Sequence, residues 1–207
     1  MKVLVTGGNG FIGSVLIQHL LNVPDIQVVG MVRSSNQIPS HLNSEFRVGD
    51  IVSPDKSFVK MCDIDVVIHT AGRAHVLGHE VKSEIDELSR VNTVATIELA
   101  KFAAASGVKR FIFLSSIKVN GDNTRPGFPA TIKSKECPRC AYGFSKLQAE
   151  KGLCVLKRKT DMEISILRLP LVYGPGVKGN LSTLTKAIRL NIPLPLASIK
   201  NNRRSMI

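Results

Sequence analysis

The sequence predicts a doubly wound α/β fold, a parallel sheet with helices on both faces. Two observations carry that expectation. Short apolar, β-branched runs alternate with segments of helical apolar spacing along most of the chain, and the first strand-like run meets the first helix-like run through a glycine-rich turn.

Taken in order, "KVLVTG" is a short apolar run closed by glycines, which reads as a buried strand. "FIGSVLIQHLLN" has helical spacing and stops before Pro24. "IQVVGMVR" reads as a second strand, "FRVGDI" as a third and "DVVIHTAG" as a fourth. "EIDELSRVNTVATIELAKFAAASG" reads as one long helix ended by Gly107. "KRFIFLSS" is the fifth strand, "YGFSKLQAEKGLCVLKR" a helix, and "EISILRLPLVYGP" a sixth strand running into a loop. The final stretch, "NIPLPLASIKNNRRSMI", begins an extended segment and stops abruptly, as a chain cut short would. The expected division is residues 1–175 as a nucleotide-binding domain and 176–207 as the start of a small C-terminal substrate-binding region.

The 207 residues suffice for one domain with a proper core. An apolar content of 43% and a charged content of 21% exclude a disordered chain. No apolar run approaches the roughly 18 residues of a membrane span, and "MKVLV" meets "TGGNG" too soon for a signal peptide. Four cysteines in a chain of this length point to reduced thiols and a cytoplasmic protein. The excess of 28 Lys+Arg over 16 Asp+Glu, a formal +12, allows nucleic acid, an anionic membrane surface or phosphorylated small molecules as partners. With no Trp and no basic stretch interleaved with aromatics, small phosphorylated molecules are favoured over nucleic acid.

"VTGGNGFIG" holds Gly8-x-Gly10-x-x-Gly13 and, overlapping it, Gly7-x-x-Gly10-x-x-Gly13. Such glycines permit a tight turn and a close approach of the backbone to a pyrophosphate. The helix that follows supplies N–H groups and partial positive charge. At the opening of a βαβ unit this is a dinucleotide site in a Rossmann-type sheet. An acid that binds the adenosine ribose usually lies about 20 residues on. Here that position is Arg33, with no acid between Asp25 and Glu45. An arginine suits a 2′-phosphate, so the expected cofactor is NAD or NADP, with NADP slightly favoured. Further on, Tyr142 and Lys146 in "YGFSK" are spaced i, i+4 and would project from one helix face a turn apart.

With these motifs in this order, the sequence resembles the extended short-chain dehydrogenases/reductases, specifically the NAD(P)-dependent sugar-nucleotide epimerase/dehydratase group. The resemblance runs from "TGGNGFIG" through "GDI", "VIHTAG", "VNTVAT", "FLSSIKVNGD" and "YGFSK" to "LRLPLVYGPG", essentially the whole chain. Members of the group usually run further than this chain does. The resemblance implies Tyr142 as general acid/base, Lys146 as its partner and a ribose ligand, and Ser116 as the hydrogen-bond donor to the reacting oxygen. It implies that the Lys146 ammonium, together with the positive nicotinamide of an oxidised cofactor, favours the Tyr142 phenolate and lowers its pKa. It assigns Gly7, Gly10, Phe11, Ile12, Gly13, Asp50, Ile51, Thr70, Ala71 and Gly72 to the cofactor. Asn92 is either a group near the nicotinamide or a helix-stabilising residue.

Two departures narrow the chemistry. Ser116-Ile117-Lys118 stands where the group's dehydratases carry Thr-Asp-Glu, which argues against 4,6-dehydration. Pro170-Leu171 stands where epimerases often have an asparagine, which leaves the sugar open. For the substrate, a nucleotide-diphosphate sugar, Arg73, His75, Asn180 and Arg204 join Ser116 as candidate ligands, with Arg203 beside Arg204. The expected activity is a 4-epimerase like UDP-glucose 4-epimerase, working through a 4-keto sugar. The alternative is an NADPH-dependent 4-ketoreductase of surface-polysaccharide synthesis, and a remote one is a non-catalytic dinucleotide sensor. A homodimer through the helices at 81–106 and 142–158 is also implied. Cys137-x-x-Cys140 lacks the further ligands a zinc site needs, so no metal is expected, and His69 is read as a core histidine.

Overall fold

The computed structural model describes residues 1–52, 61–73, 82–124, 127–174, 176–177 and 179–194. Six strands form one parallel sheet: β1 (Lys2–Thr6), β2 (Gln27–Val32), β3 (Glu45–Val48), β4 (Val66–His69), β5 (Arg110–Ser116) and β6 (Glu163–Leu169). Their order across the sheet is β3-β2-β1-β4-β5-β6. The chain steps outward from β1 in one direction, then crosses back to start again at β4. The gap above the β1/β4 pair is therefore the topological switch point, where doubly wound sheets bind ligands. Registers such as Thr6 opposite Met31 and His69, and His69 opposite Phe113, align the strand ends along one edge.

Two cores flank the sheet. On one face α1 (Phe11–Leu20) seats Ile17 against Val3, Val5 and Val28. On the other, α3 (Ala95–Ala105) and α4 (Ala141–Lys157) lay Leu99, Ala103 and Leu153 over Leu4, Val67 and Phe111. Small residues let these elements lie close. At Gly152 a Cβ would stand 2.2 Å from the Ile97 side chain, so α3 nests into α4 there.

The long helix expected over residues 84–107 is interrupted. It comprises α2 (Lys82–Leu88), a wide π-type turn at Ser89–Val94, and α3. Inside that turn Asn92 is fully buried and its amide bonds to chain outside the helix, which periodicity alone does not reveal. Gly107 does end the helix, at φ +83°. The sixth strand stops at Leu169, because Pro170 has no N–H to continue the ladder. A last helix, α5 (Asn180–Arg189), was not anticipated; its Leu181, Leu184 and Ile188 spacing is the signal that marks it. Residues 195–207 lie outside the described residues.

His69 ties the layers together. Its ring nitrogens hydrogen-bond Thr6 Oγ1 on β1 at 2.7 Å and Thr96 Oγ1 on α3 at 2.9 Å, and its ring stacks on Phe113. Complete burial, assisted by the nearby Lys146 charge, pulls its pKa from 6.5 down to about 3. The unfolded chain therefore takes up a proton that the folded chain refuses, so stability is full above pH 6.5 and falls as the pH drops towards 3. Between pH 7 and pH 5 the loss from this residue is about 2 kcal/mol. Urea unfolding at the two pH values should show that difference, and His69→Gln should abolish most of it.

Candidate active site

The glycine loop follows β1 and closes on itself. Gly7 takes φ +67°, its carbonyl accepts from Gly10 N at 2.8 Å, and Gly8 N bonds Met31 O at 2.9 Å. A Cβ on Gly13 would come within 2.2 Å of Gly7 O, so α1 starts hard against the loop backbone. Gly10 caps α1 without a side-chain bond, which leaves the helix start to an external anion. This cradle fits a pyrophosphate. Phe11 and Ile12 form the first turn of α1, and Arg33 follows β2 with its side chain exposed. Asp50 caps its own turn through Val52 N at 2.9 Å, and Ile51 beside it is buried.

The end of β4 makes the other wall. Thr70 Oγ1 donates to Thr6 O at 2.6 Å, and Ala71 N donates to Thr6 Oγ1 at 3.3 Å. Asn92 then grips the next residue on both sides: its Oδ1 accepts from Arg73 N at 2.8 Å and its Nδ2 donates to Arg73 O at 3.0 Å. The same Nδ2 donates to Ser145 Oγ at 3.1 Å. Asn92 thus fastens the loop after β4 to α4, with its amide taken up by protein groups. The Arg73 guanidinium stands 3.7 Å from Glu87.

Ser116, Tyr142 and Lys146 converge at the end of β5. Ser116 caps a 3₁₀ turn, Ile117–Val119, by accepting from Lys118 N at 3.2 Å. Gly143 lets α4 press on that turn, since a Cβ there would sit 2.8 Å from Lys118 O. The Ser116 side chain neighbours the Tyr142 phenol and favours its ionised form. Lys146, 5% exposed, donates from Nζ to Leu114 O at 3.0 Å. Its ammonium lies 4.7 Å from the Phe113 ring centre and 5.9 Å from that of Tyr142. Burial draws the Lys146 pKa down from 10.5 to about 8, while Glu150, one turn on, works to raise it.

The lowering of the Tyr142 pKa expected with an oxidised cofactor does not hold for the chain by itself. In the free chain burial pushes the phenol above 10; the Ser116 side chain opposes this, and the neighbouring Cys140 adds to it. Lys146 Nζ is engaged by the Leu114 carbonyl and lies 5.9 Å from the Tyr142 ring centre.

Of the remaining candidates, Asn180 opens α5, while His75, Arg203, Arg204 and the Asn180 side chain lie outside the described residues. Among the described residues, no group of three or more His, Cys, Asp or Glu side chains gathers as a metal site. Sequence reasoning missed Ser145, Ser115, Glu150 and Arg168, all of which touch this region. The signal for Glu150 was available: it continues the i, i+4 series of Tyr142 and Lys146 by one more turn.

This fold is that of the short-chain dehydrogenases/reductases. The chain belongs to the NAD dependent epimerase/dehydratase family, which it matches over residues 3–207. It is 41% identical over 206 residues to UDP-glucose 4-epimerase of Vibrio cholerae, covering 100% of this chain and 62% of that protein. It is 32% identical to dTDP-D-glucose 4,6-dehydratase of Mus musculus over 84% of this chain and 51% of that one. Among solved structures it superposes on UDP-glucuronic acid 4-epimerase from Bacillus cereus, in complex with UDP-glucuronic acid and NAD. There the TM-score is 0.78 and the identity 29%, over 94% of this chain and 65% of that one. The chain therefore spans between half and two thirds of the length of these relatives.

Tyr142 and Tyr173 are the chain's two tyrosines and there is no tryptophan, so phenol ionisation can be read by absorbance near 295 nm. In a Tyr173→Phe background, Tyr142 should ionise above pH 10 in the free chain, and Ser116→Ala should move that midpoint higher still.

Proposed function

We propose that this protein is an NAD(P)-dependent nucleotide-sugar 4-epimerase, with a UDP-linked hexose as substrate. The observation that carries this is the meeting of Ser116, Tyr142 and Lys146 at the end of β5, beside the switch point and its glycine cradle. The likeness over the whole chain to a UDP-glucose 4-epimerase supports it. Residues 1–175 act as the dinucleotide-binding domain, and 176–207 begin the part that closes over the sugar.

Gly7–Gly13 would hold the pyrophosphate of the dinucleotide, Arg33, Asp50 and Ile51 its adenosine, and Thr70–Gly72 with Lys146 its nicotinamide end. When bound, the dinucleotide would supply the acceptor and donor of a hydride at sugar C4. Tyr142 removes the proton from the C4 hydroxyl and gives it back. Ser116 donates a hydrogen bond to that oxygen as it becomes a carbonyl and reverts. Lys146 bonds the ribose hydroxyls and supplies positive charge next to the phenol. Arg73, His75, Asn180 and Arg204 serve the diphosphate and sugar. Dehydration is disfavoured because Ile117 and Lys118 hold the place of an acid pair, and Lys118 is itself paired with Asp122.

A second reading rests on Arg33. This exposed cation follows β2 where a ribose-binding acid would stand, which suits NADP and hence a ketoreductase that consumes NADPH. Under that reading Arg33→Ala loses preference for NADPH over NADH.

Two wider features fit the proposal. Val94 and Phe102 on one helix and Phe144 and Val155 on α4 are about half exposed, an apolar face suited to pairing with a second copy. All four cysteines are unpaired, as in a reducing cytoplasm. Among the described residues no helix is long and apolar enough to cross a membrane.

Conversion of UDP-glucose to UDP-galactose without added reductant tests the main reading. Tyr142→Phe should lower kcat about 10²–10⁴-fold with dinucleotide affinity nearly unchanged. Full turnover by that variant would remove Tyr142 from the chemistry.

A further inference from the structure

Glu150 is the one carboxylate among the described residues as buried as the core, at 4% exposure, and the reading above gives it no task. It sits on α4 one turn beyond Lys146. Its Oε1 accepts from Ser115 Oγ at 2.5 Å, and both its oxygens accept from Arg168 of β6, with Nε at 3.0 and 3.1 Å and Nη2 at 2.5 Å from Oε2. Arg168 also donates to Asn120 Oδ1 at 3.2 Å and to Glu136 at 3.1 Å.

These contacts form a pattern. Two consecutive residues at the end of β5 each hold one residue of the α4 face, Leu114 O taking Lys146 Nζ and Ser115 taking Glu150, and the next, Ser116, neighbours Tyr142. A strand end and a helix face with residues at i, i+4 and i+8 meet at three successive points. Isolated burial of an ammonium is costly, and a carboxylate one turn away offsets it only if it is itself fixed and satisfied. Arg168 and Ser115 supply that fixation.

We propose that Glu150 is the positioning residue of this site: clamped by Arg168 and Ser115, its carboxylate sets α4 in register on β5 and holds the Lys146 ammonium in place. This goes beyond the catalytic reading and does not depend on which sugar is bound. The charged and titratable groups facing Lys146 are Tyr142 and Glu150 from its own helix and the neutral His69 from β4, with Arg168 from β6 behind Glu150. β5 presents the Leu114 carbonyl and the Phe113 ring, and Asn92 and Gly72 present no charge. Among the described residues Glu150 is thus the single negative group in that shell.

The test is NMR titration of the full chain carrying ¹³C,¹⁵N-labelled lysine. Lys146 is the one buried lysine among the described residues, so its signal should titrate near pH 8, apart from exposed lysines. Its assignment follows from its loss in Lys146→Arg. Glu150→Gln should lower the proton affinity of Lys146 at least tenfold with the amide spectrum preserved. A brace that only held the backbone would leave that midpoint unmoved. If Glu150→Gln does not fold, Arg168→Gln, which removes the opposing cation and leaves the carboxylate, should raise the Lys146 midpoint instead, and an unmoved midpoint there overturns the proposal equally. A folded variant with the wild-type Lys146 midpoint overturns the proposal. Since no substrate enters this measurement, failure of the epimerase reading and failure of this one are separately visible.

Discussion

Lys146 brings a positive charge to a place where water scarcely reaches, and much of the site can be understood from how the chain accommodates that charge. A buried ammonium needs a hydrogen-bond acceptor, polarizable neighbours and an opposite charge at short range. The acceptor is the Leu114 carbonyl at the end of β5, the aromatic faces are Phe113 and Tyr142, and the carboxylate is Glu150. Each comes from a different turn or strand residue, so placing the charge also fixes how α4 lies on the sheet. The Asn92 amide adds the last constraint by tying the loop after β4 to Ser145 in the same helix.

The sheet's two edges differ accordingly. At the N-terminal edge Lys2, Glu45, Arg47 and Asp63 form exposed ion pairs, in which Arg47 and Lys2 hold the Asp63 carboxyl well below the usual carboxylate range. Pairs so open to water contribute little to stability. At the end of β5 the charged groups Lys146 and Glu150 are buried and held by protein partners. That contrast fits an edge built for chemistry, because a fixed charge in a dry setting acts more strongly on a reacting oxygen than a solvated one.

Much of this was legible in the sequence because it rests on local rules. The strand-to-helix glycine loop, the alternation of apolar runs and the Tyr142/Lys146 spacing each need only short-range geometry. His69 was rightly placed in the core, since an uncharged histidine within an apolar strand has few other places to go. The rest depends on contacts between distant residues. The π turn exists because Asn92 reaches Arg73, nineteen residues earlier. The Glu150–Arg168 clamp joins α4 to β6, and no spacing rule links positions 150 and 168. The raised Tyr142 pKa of the chain by itself was not legible for a related reason. Helical spacing places a lysine near a tyrosine, but burial of the phenol comes from the three-dimensional packing.

The most direct test of hydride chemistry at this site is an isotope experiment with UDP-glucose deuterated at C4. If Tyr142 moves only the hydroxyl proton and the hydride stays within one bound dinucleotide, UDP-galactose should form with deuterium retained at C4, even in mixed labelled and unlabelled substrate. Product whose C4 deuterium has washed out into solvent would contradict the account, because the carbon-bound hydrogen would then have left as a proton.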